Sequence, residues 1–165
     1  MEEYFMSHRS YNEKKVGYTL SRSGVTVRLA VGQLAGIHAV GDTFVSIENI
    51  TGSKYDDSLY GDAGINILSG DAGNDVLAGG AGADTLRGGT GIDMIAYEGS
   101  NAAVNVNLKT GILSGGHAQD DTVDSIENVK GSNYNDVITG NDSANLIYGL
   151  GGDDLILGGL GKDVI

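Results

Sequence analysis

Two stretches of this chain carry Leu or Ile at every ninth residue, with glycine and polar residues filling most of the intervals. From Gly52 to Ala96 five units read GSKYDDSLY, GDAGINILS, GDAGNDVLA, GGAGADTLR and GGTGIDMIA. From Gly131 to Ile165 four more read GSNYNDVIT, GNDSANLIY, GLGGDDLIL and GGLGKDVI, the last one residue short. Position 1 is always glycine, and position 8 is always Leu or Ile, from Leu59 to Ile165. Position 6 is Asp57, Asn66, Asp75, Asp84, Asp93, Asp136, Asn145, Asp154 and Asp163. Outside these blocks, VTVRL (25–29) and VNVNL (104–108) alternate apolar and polar residues, the period of half-buried strands. No segment carries a helical apolar period, and glycine at this density disfavours helix interiors. The pattern predicts an all-β chain.

A longer repeat overlies the short one. At an offset of 79 residues Tyr18 recurs as Tyr97, His38 as His117, and Asp42-Thr43 as Asp121-Thr122. Ser46-Ile47-Glu48-Asn49 likewise recurs as Ser125-Ile126-Glu127-Asn128. By offset, the copies run roughly 8–86 and 87–165. The first begins with HRSYNEKKV where a nonapeptide is expected, an eroded unit or a cap of the kind solenoid ends require. Residues 1–16 are therefore taken as a polar N-terminal segment or degenerate cap, 17–96 as the first copy and 97–165 as the second.

Each unit makes physical sense as half of a coil. Glycines near positions 1, 2 and 4 open backbone angles that a tight turn needs. Three residues then extend as a short strand, with position 8 pointing inward. Two units make an 18-residue coil, and coils stack at the spacing of paired strands, about 4.8 Å. The fold expected is a parallel β-roll, a right-handed β-helix-like solenoid. The final short unit leaves an open coil edge on which another molecule could stack end to end.

Stacking aligns the position-6 carboxylates along each edge. Like charges about 5 Å apart repel unless a cation lies between them. Carboxylates with turn carbonyls are the hard oxygen set that suits calcium; magnesium prefers a tighter octahedron, and clustered His or Cys for zinc is absent. Composition agrees. The chain holds 28 glycines and no cysteine, so disulfides and thiolate sites are excluded. Its net charge of −12 repels nucleic acid and anionic membrane and suits multivalent cations. No run of 18 apolar residues spans a membrane, and residues 1–16 contain no signal-type apolar stretch.

These units resemble the RTX (repeats-in-toxin) nonapeptide GGxGxDxUx, a calcium-binding β-roll repeat. Residues 125–163 are also similar to the C-terminal β-roll of serralysin-type secreted metalloproteases. The resemblance implies Ca2+ between each turn and the turn 18 residues on, with extracellular placement by type I secretion without a cleaved N-terminal signal. In that family the earlier turn gives carbonyls from positions 2 and 4 and the position-6 side chain. The later turn gives carbonyls from positions 1 and 3 and its own position 6. Carried over, Ser53, Tyr55 and Asp57 share an ion with Gly70, Ala72 and Asp75. Asp62, Gly64 and Asn66 face Gly79, Ala81 and Asp84, and Asp71, Gly73 and Asp75 face Gly88, Thr90 and Asp93. In the second copy Ser132, Tyr134 and Asp136 face Gly149, Gly151 and Asp154, and Asn141, Ser143 and Asn145 face Gly158, Leu160 and Asp163. Gly91 and Asp93 share a sixth ion with Ser125 and Glu127, whose first-copy counterpart is lost at Lys14. Tyr55, Tyr134 and Ser143 stand where the pattern has its fourth-position glycine, and neutral Asn66 and Asn145 mark weaker sites.

Catalytic patterns are missing: the sequence has no HExxH, no GxSxG, and GGLGKD (158–163) lacks the spacing of a phosphate loop. The function expected is a non-enzymatic calcium-binding module that folds on binding calcium and serves the secretion and stability of an exported bacterial protein. A fragment of a secreted metalloprotease or polysaccharide-modifying enzyme, or a repeat segment of an adhesin, are the alternatives.

Overall fold

A computed structural model describes residues 14–30, 33–35 and 47–165. His38, Asp42-Thr43, Ser46 and most of the 1–16 segment lie outside the described residues. The strands are short, as the glycine spacing demands. They are β1 (Lys15–Gly17), β2 (Thr26–Arg28), β3 (Gln33–Ala35), β4 (Asn49–Thr51), β5 (Ser58–Tyr60), β6 (Ile67–Ala72), β7 (Val76–Ala78) and β8 (Thr85–Thr90). There follow β9 (Met94–Ala96), β10 (Asn105–Asn107), β11 (Ile112–Ser114), β12 (Thr122–Asp124), β13 (Asn128–Lys130), β14 (Val137–Thr139), β15 (Ile147–Tyr148) and β16 (Leu155–Leu157). One 3₁₀ turn, Gly116–Ala118, is the only helical element among the described residues.

Within the nonapeptide blocks successive strands alternate between two faces, and among the described residues pairing is parallel except in two hairpins. One face is a five-stranded sheet, β1-β4-β6-β8-β12, followed by a four-stranded sheet, β11-β10-β14-β16. The other face is a seven-stranded sheet, β15-β13-β9-β7-β5-β2-β3. The antiparallel pairs are β2–β3 and β10–β11. The architecture is the all-β parallel β-roll that the nonapeptides predict.

Register places the position-8 side chains in ladders. Ile50, Leu68 and Leu86 align on one face, with Val16 and Val123 at the ends. Val27, Leu59, Leu77, Ile95, Val129 and Ile147 align on the other. Most of these side chains are wholly buried, so a core one residue wide runs along the roll. VTVRL and VNVNL form β2 and β10, with Val25, Val27, Val104 and Val106 buried. Each pairs in parallel with the first nonapeptide strand of its copy, β5 or β14, and so takes the place of a preceding coil.

The 79-residue repeat is reproduced strand for strand. β1, β2, β3, β4 and β5 recur at that offset as β9, β10, β11, β13 and β14. β1 and β4 lie in the five-stranded sheet, whereas β9 and β13 lie in the seven-stranded one. Each copy thus advances the chain by an odd number of half-coils, and the second copy continues the roll from the opposite face. The eroded first unit still contributes β1, paired to β4 as β9 is paired to β13.

Leu77 sits at 0 % exposure in the middle of its ladder. Leu77→Ala is expected to destabilise the calcium-saturated fold by about 2–5 kcal/mol in urea unfolding. Leu157→Ala, on an outward position of β16, should change stability by no more than about 0.5 kcal/mol.

Candidate metal centre

The turns fall into two kinds. The first turn on each edge of a nonapeptide block begins at Gly52, Gly61, Gly131 or Gly140. In these turns the position-2 side chain organises the backbone. Ser53 Oγ accepts the Tyr55 N–H at 3.1 Å and donates to Asp57 Oδ1 at 3.0 Å. Ser132 Oγ does the same for Tyr134 and Asp136. Asp62 Oδ1 accepts from Gly64 N–H, and Asn141 Oδ1 from Ser143 N–H. These are Ser- and Asx-type turns. No left-handed fourth residue is needed, which is why Tyr55, Tyr134 and Ser143 are tolerated there.

The later turns are left-handed at positions 2 and 4. Asp71, Gly80, Gly89, Leu150 and Gly159 have φ of 82°, 98°, 115°, 75° and 100°, and the fourth-position glycines 73, 82, 91, 152 and 161 range from 110° to 143°. Glycine is required at the fourth position for a second reason. A Cβ on Gly73 would overlap the Tyr55 carbonyl of the coil before it, and one on Gly82 would overlap the Gly64 carbonyl.

The two kinds of turn treat the position-6 side chain differently. In first turns the position-2 N–H donates to it: Ser53 to Asp57 at 2.5 Å, Asp62 to Asn66 at 2.8 Å, Ser132 to Asp136 at 2.6 Å and Asn141 to Asn145 at 2.9 Å. In the five later turns that bond is missing. Asp75, Asp84 and Asp93 are each about 1 % exposed, and the Oδ2 of each is buried without a hydrogen-bond partner.

Their Oδ1 atoms form a ladder. Asp57 N–H donates to Asp75 Oδ1, Asn66 N–H to Asp84 Oδ1 and Asp75 N–H to Asp93 Oδ1, each at 2.8 Å across 18 residues. In the second copy Asp136 N–H donates to Asp154 and Asn145 N–H to Asp163. Asp93 N–H donates to Glu127 Oε2 at 2.9 Å, so the SIEN segment supplies a ladder carboxylate without a nonapeptide. With no cation present, burial pushes the Asp75 carboxyl up to about 7 and Asp84 up to about 6, and it raises Asp93 as well. Asp57 and Asp93 add like-charge repulsion at Asp75.

The orphaned oxygens have company. A Cβ on Gly70 would run into both Asp75 Oδ2 and the Gly88 carbonyl. Equivalent pairs meet at Gly52 (Asp57 Oδ2, Gly70 carbonyl), Gly61 (Asn66 Oδ1, Gly79 carbonyl) and Gly88 (Asp93 Oδ2, Ser125 carbonyl). They also meet at Gly131 (Asp136 Oδ2, Gly149 carbonyl) and Gly140 (Asn145 Oδ1, Gly158 carbonyl). Position 1 is therefore glycine because a side chain would fill the space where side-chain and carbonyl oxygens of successive coils converge. Among the described residues no three acidic or histidine side chains cluster, so backbone carbonyls must complete any cation site. Hard oxygens of both kinds, with buried carboxylates lacking a partner, fit calcium.

The RTX calcium-binding nonapeptide repeat, in four copies, matches residues 46–64, 60–95 and 130–165, about half of the chain. The chain belongs to the RTX calcium-binding repeat family. Its repeats bind Ca2+. No curated protein matches it.

All six RTX turn pairs expected from sequence are brought together by the ladder and the position-1 contacts. The lost site at Lys14 has a visible replacement. Lys14 O accepts the N–H groups of Glu48 and Asn49 as Asp93 O accepts those of Glu127 and Asn128. Lys14 Nζ lies 4.0 Å from Glu48 Oε1, an ammonium beside the carboxylate that corresponds to Glu127. Asn66 and Asn145 also have a structural reason for being amides. Their Nδ2 groups donate to the carbonyls of Glu48 and Glu127 in the preceding coil, a bond that a carboxylate could not make.

One ladder residue was not among the sequence candidates. Asp84 N–H donates to Asp121 Oδ1 at 2.8 Å across 37 residues, and β12 stacks on β8 in ladder register. Residues 116–124, GHAQDDTVD, form a tenth unit with Gly116, Asp121 and Val123 at positions 1, 6 and 8. Its lack of glycine at positions 2 and 4 hid it from a pattern anchored on glycine.

The raised carboxyls set a pH dependence. Asp75 and Asp84 hold protons in the metal-free fold up to about pH 7 and 6, whereas unfolded aspartate releases them near 3.8. The metal-free fold is thus most stable below about pH 4 with respect to these groups, and loses that stability as pH rises through 6 to 7. Lowering the pH from 8 to 5.5 should therefore favour the metal-free fold over the unfolded chain, whose aspartates are ionised throughout that range, and should be read as more β-type circular dichroism in EGTA at pH 5.5 than at pH 8.

Proposed function

We propose that this chain is a calcium-responsive folding module of an exported bacterial protein, placed outside the cell by a type I system without a cleaved N-terminal signal. The observation that carries the reading is the set of buried, unpartnered oxygens on Asp75, Asp84 and Asp93. Burying ionised carboxylates without compensation is costly, and a narrow apolar ladder offers little to offset it. A glycine-rich chain of charge −12 also loses much backbone entropy on folding. Bound calcium supplies the positive charge that lets the aligned carboxylates stay ionised inside the fold. Stability then rises by mass action at each site. With affinities of about 10⁻⁴–10⁻³ M, common for extracellular modules, the chain stays unfolded at cytosolic calcium and folds after export.

In this reading the ligands are those of the six turn pairs. Asp75 and Asp93 each serve two neighbouring pairs, so the three pairs running from Asp57 to Glu127 fill cooperatively. The module is non-catalytic, because its buried carboxylates are committed to the ladder. A second reading, a repeat segment of an adhesin, is favoured by one observation. β9 closes the first copy and also occupies the place of β1 in the second, so the copies join without a linker.

A metal-depleted sample titrated with calcium should show a large, cooperative gain of β-type circular dichroism, reversed by EGTA. A folded spectrum in EGTA, unchanged by calcium, would defeat the proposal.

A further inference from the structure

The tenth unit behaves unlike the nine nonapeptides, and the difference lies at Tyr97. Asp121 takes the ladder bond from Asp84 N–H through Oδ1, as every later-turn aspartate does. Its Oδ2, however, is not orphaned. The Tyr97 hydroxyl donates to it at 2.9 Å, with Tyr97 about 2 % and Asp121 about 4 % exposed. The carbonyl side of the site is also missing. At each of the six turn pairs, a later-coil carbonyl is among the three atoms nearest a Cβ on the first glycine. At Gly79 all three belong to Asp84 itself. The 116–121 turn uses its backbone elsewhere. Ala118 O accepts from Asp121 N–H at 3.4 Å, His117 N–H donates to Ser100 Oγ at 3.0 Å, and Gly116 packs against Ser100 and Ala102.

We infer that the gap between Asp84 and Asp121 is closed by the Tyr97 hydroxyl in place of calcium, making Tyr97 and Asp121 a metal-independent stop that ends the ion row running through Asp84. The inference rests on the ladder assignment of the preceding subsection. A neutral hydroxyl satisfies the second oxygen of the last carboxylate without adding charge. On the opposite edge the row has no such stop and continues through Glu127. Tyr97 and Asp121 recur at the 79-residue offset as Tyr18 and Asp42, the latter outside the described residues.

The test counts ions by native mass spectrometry of the full chain at saturating calcium. Asp121→Asn keeps an acceptor for Asp84 N–H, and its amide N–H can donate to the Tyr97 hydroxyl with the direction of that bond reversed, so it should hold the same number of ions as the unmodified chain. Asp75→Asn serves as the control and should hold fewer. One ion lost from Asp121→Asn, with the control also losing ions, overturns the inference. No loss from the control faults the ladder assignment instead. Should Asp121→Asn not fold, a calcium-loaded crystal of the unmodified chain decides. The anomalous map should show peaks at the Asp75 and Asp93 turns and none between Asp84 and Asp121, and a peak there overturns the stop.

Discussion

Everything in this roll depends on one hydrogen bond repeated along its edges: the N–H of a position-6 residue given to the position-6 carboxylate of the next coil. That bond sets the coil spacing, fixes strand register and draws each carboxylate out of water. It also leaves the second carboxylate oxygen to be satisfied by something else. The fold differs from place to place chiefly in what that something is. First turns use their own position-2 N–H, as Ser53 does for Asp57. Later turns are left-handed at position 2, and at Asp75, Asp84 and Asp93 they leave the oxygen buried without a hydrogen-bond partner, the place we propose calcium takes. Asp121 has a tyrosine hydroxyl.

This constraint explains side chains that otherwise look like erosion of the repeat. Asn66 and Asn145 lie above carbonyls, where an amide donor is needed and a carboxylate would be repelled. Tyr55 and Tyr134 occupy turns whose geometry is held by Ser53 and Ser132. Lys14 brings an ammonium to the carboxylate of Glu48. At 4.0 Å and about half exposed, that pair contributes little stability.

Much of this was legible in the sequence because a solenoid converts local pattern directly into contacts. Glycine at position 1, Asp or Asn at position 6 and Leu or Ile at position 8 predicted the coil and the core ladder, and the resemblance to the RTX repeat supplied the six turn pairs. The 79-residue offset predicted the recurrence of β1, β2, β3, β4 and β5 as β9, β10, β11, β13 and β14. The Tyr97–Asp121 pair was not legible as a contact, since its residues are 24 apart and outside the nonapeptide blocks. Nor was the left-handed split between first and later turns. It depends on whether a coil lies beneath the turn, as the Tyr55 carbonyl lies beneath Gly73, and a single unit read alone does not contain that information.

The most direct test of the account is residue-resolved amide exchange with calcium and in EGTA. The amides of Asp57, Asn66 and Asp75 donate to the buried carboxylates of Asp75, Asp84 and Asp93, whose ionised form we propose that calcium holds in place. They should be strongly protected with calcium and exchange at near-unfolded rates without it. Equal protection of these three amides in both conditions would contradict the dependence of the fold on calcium.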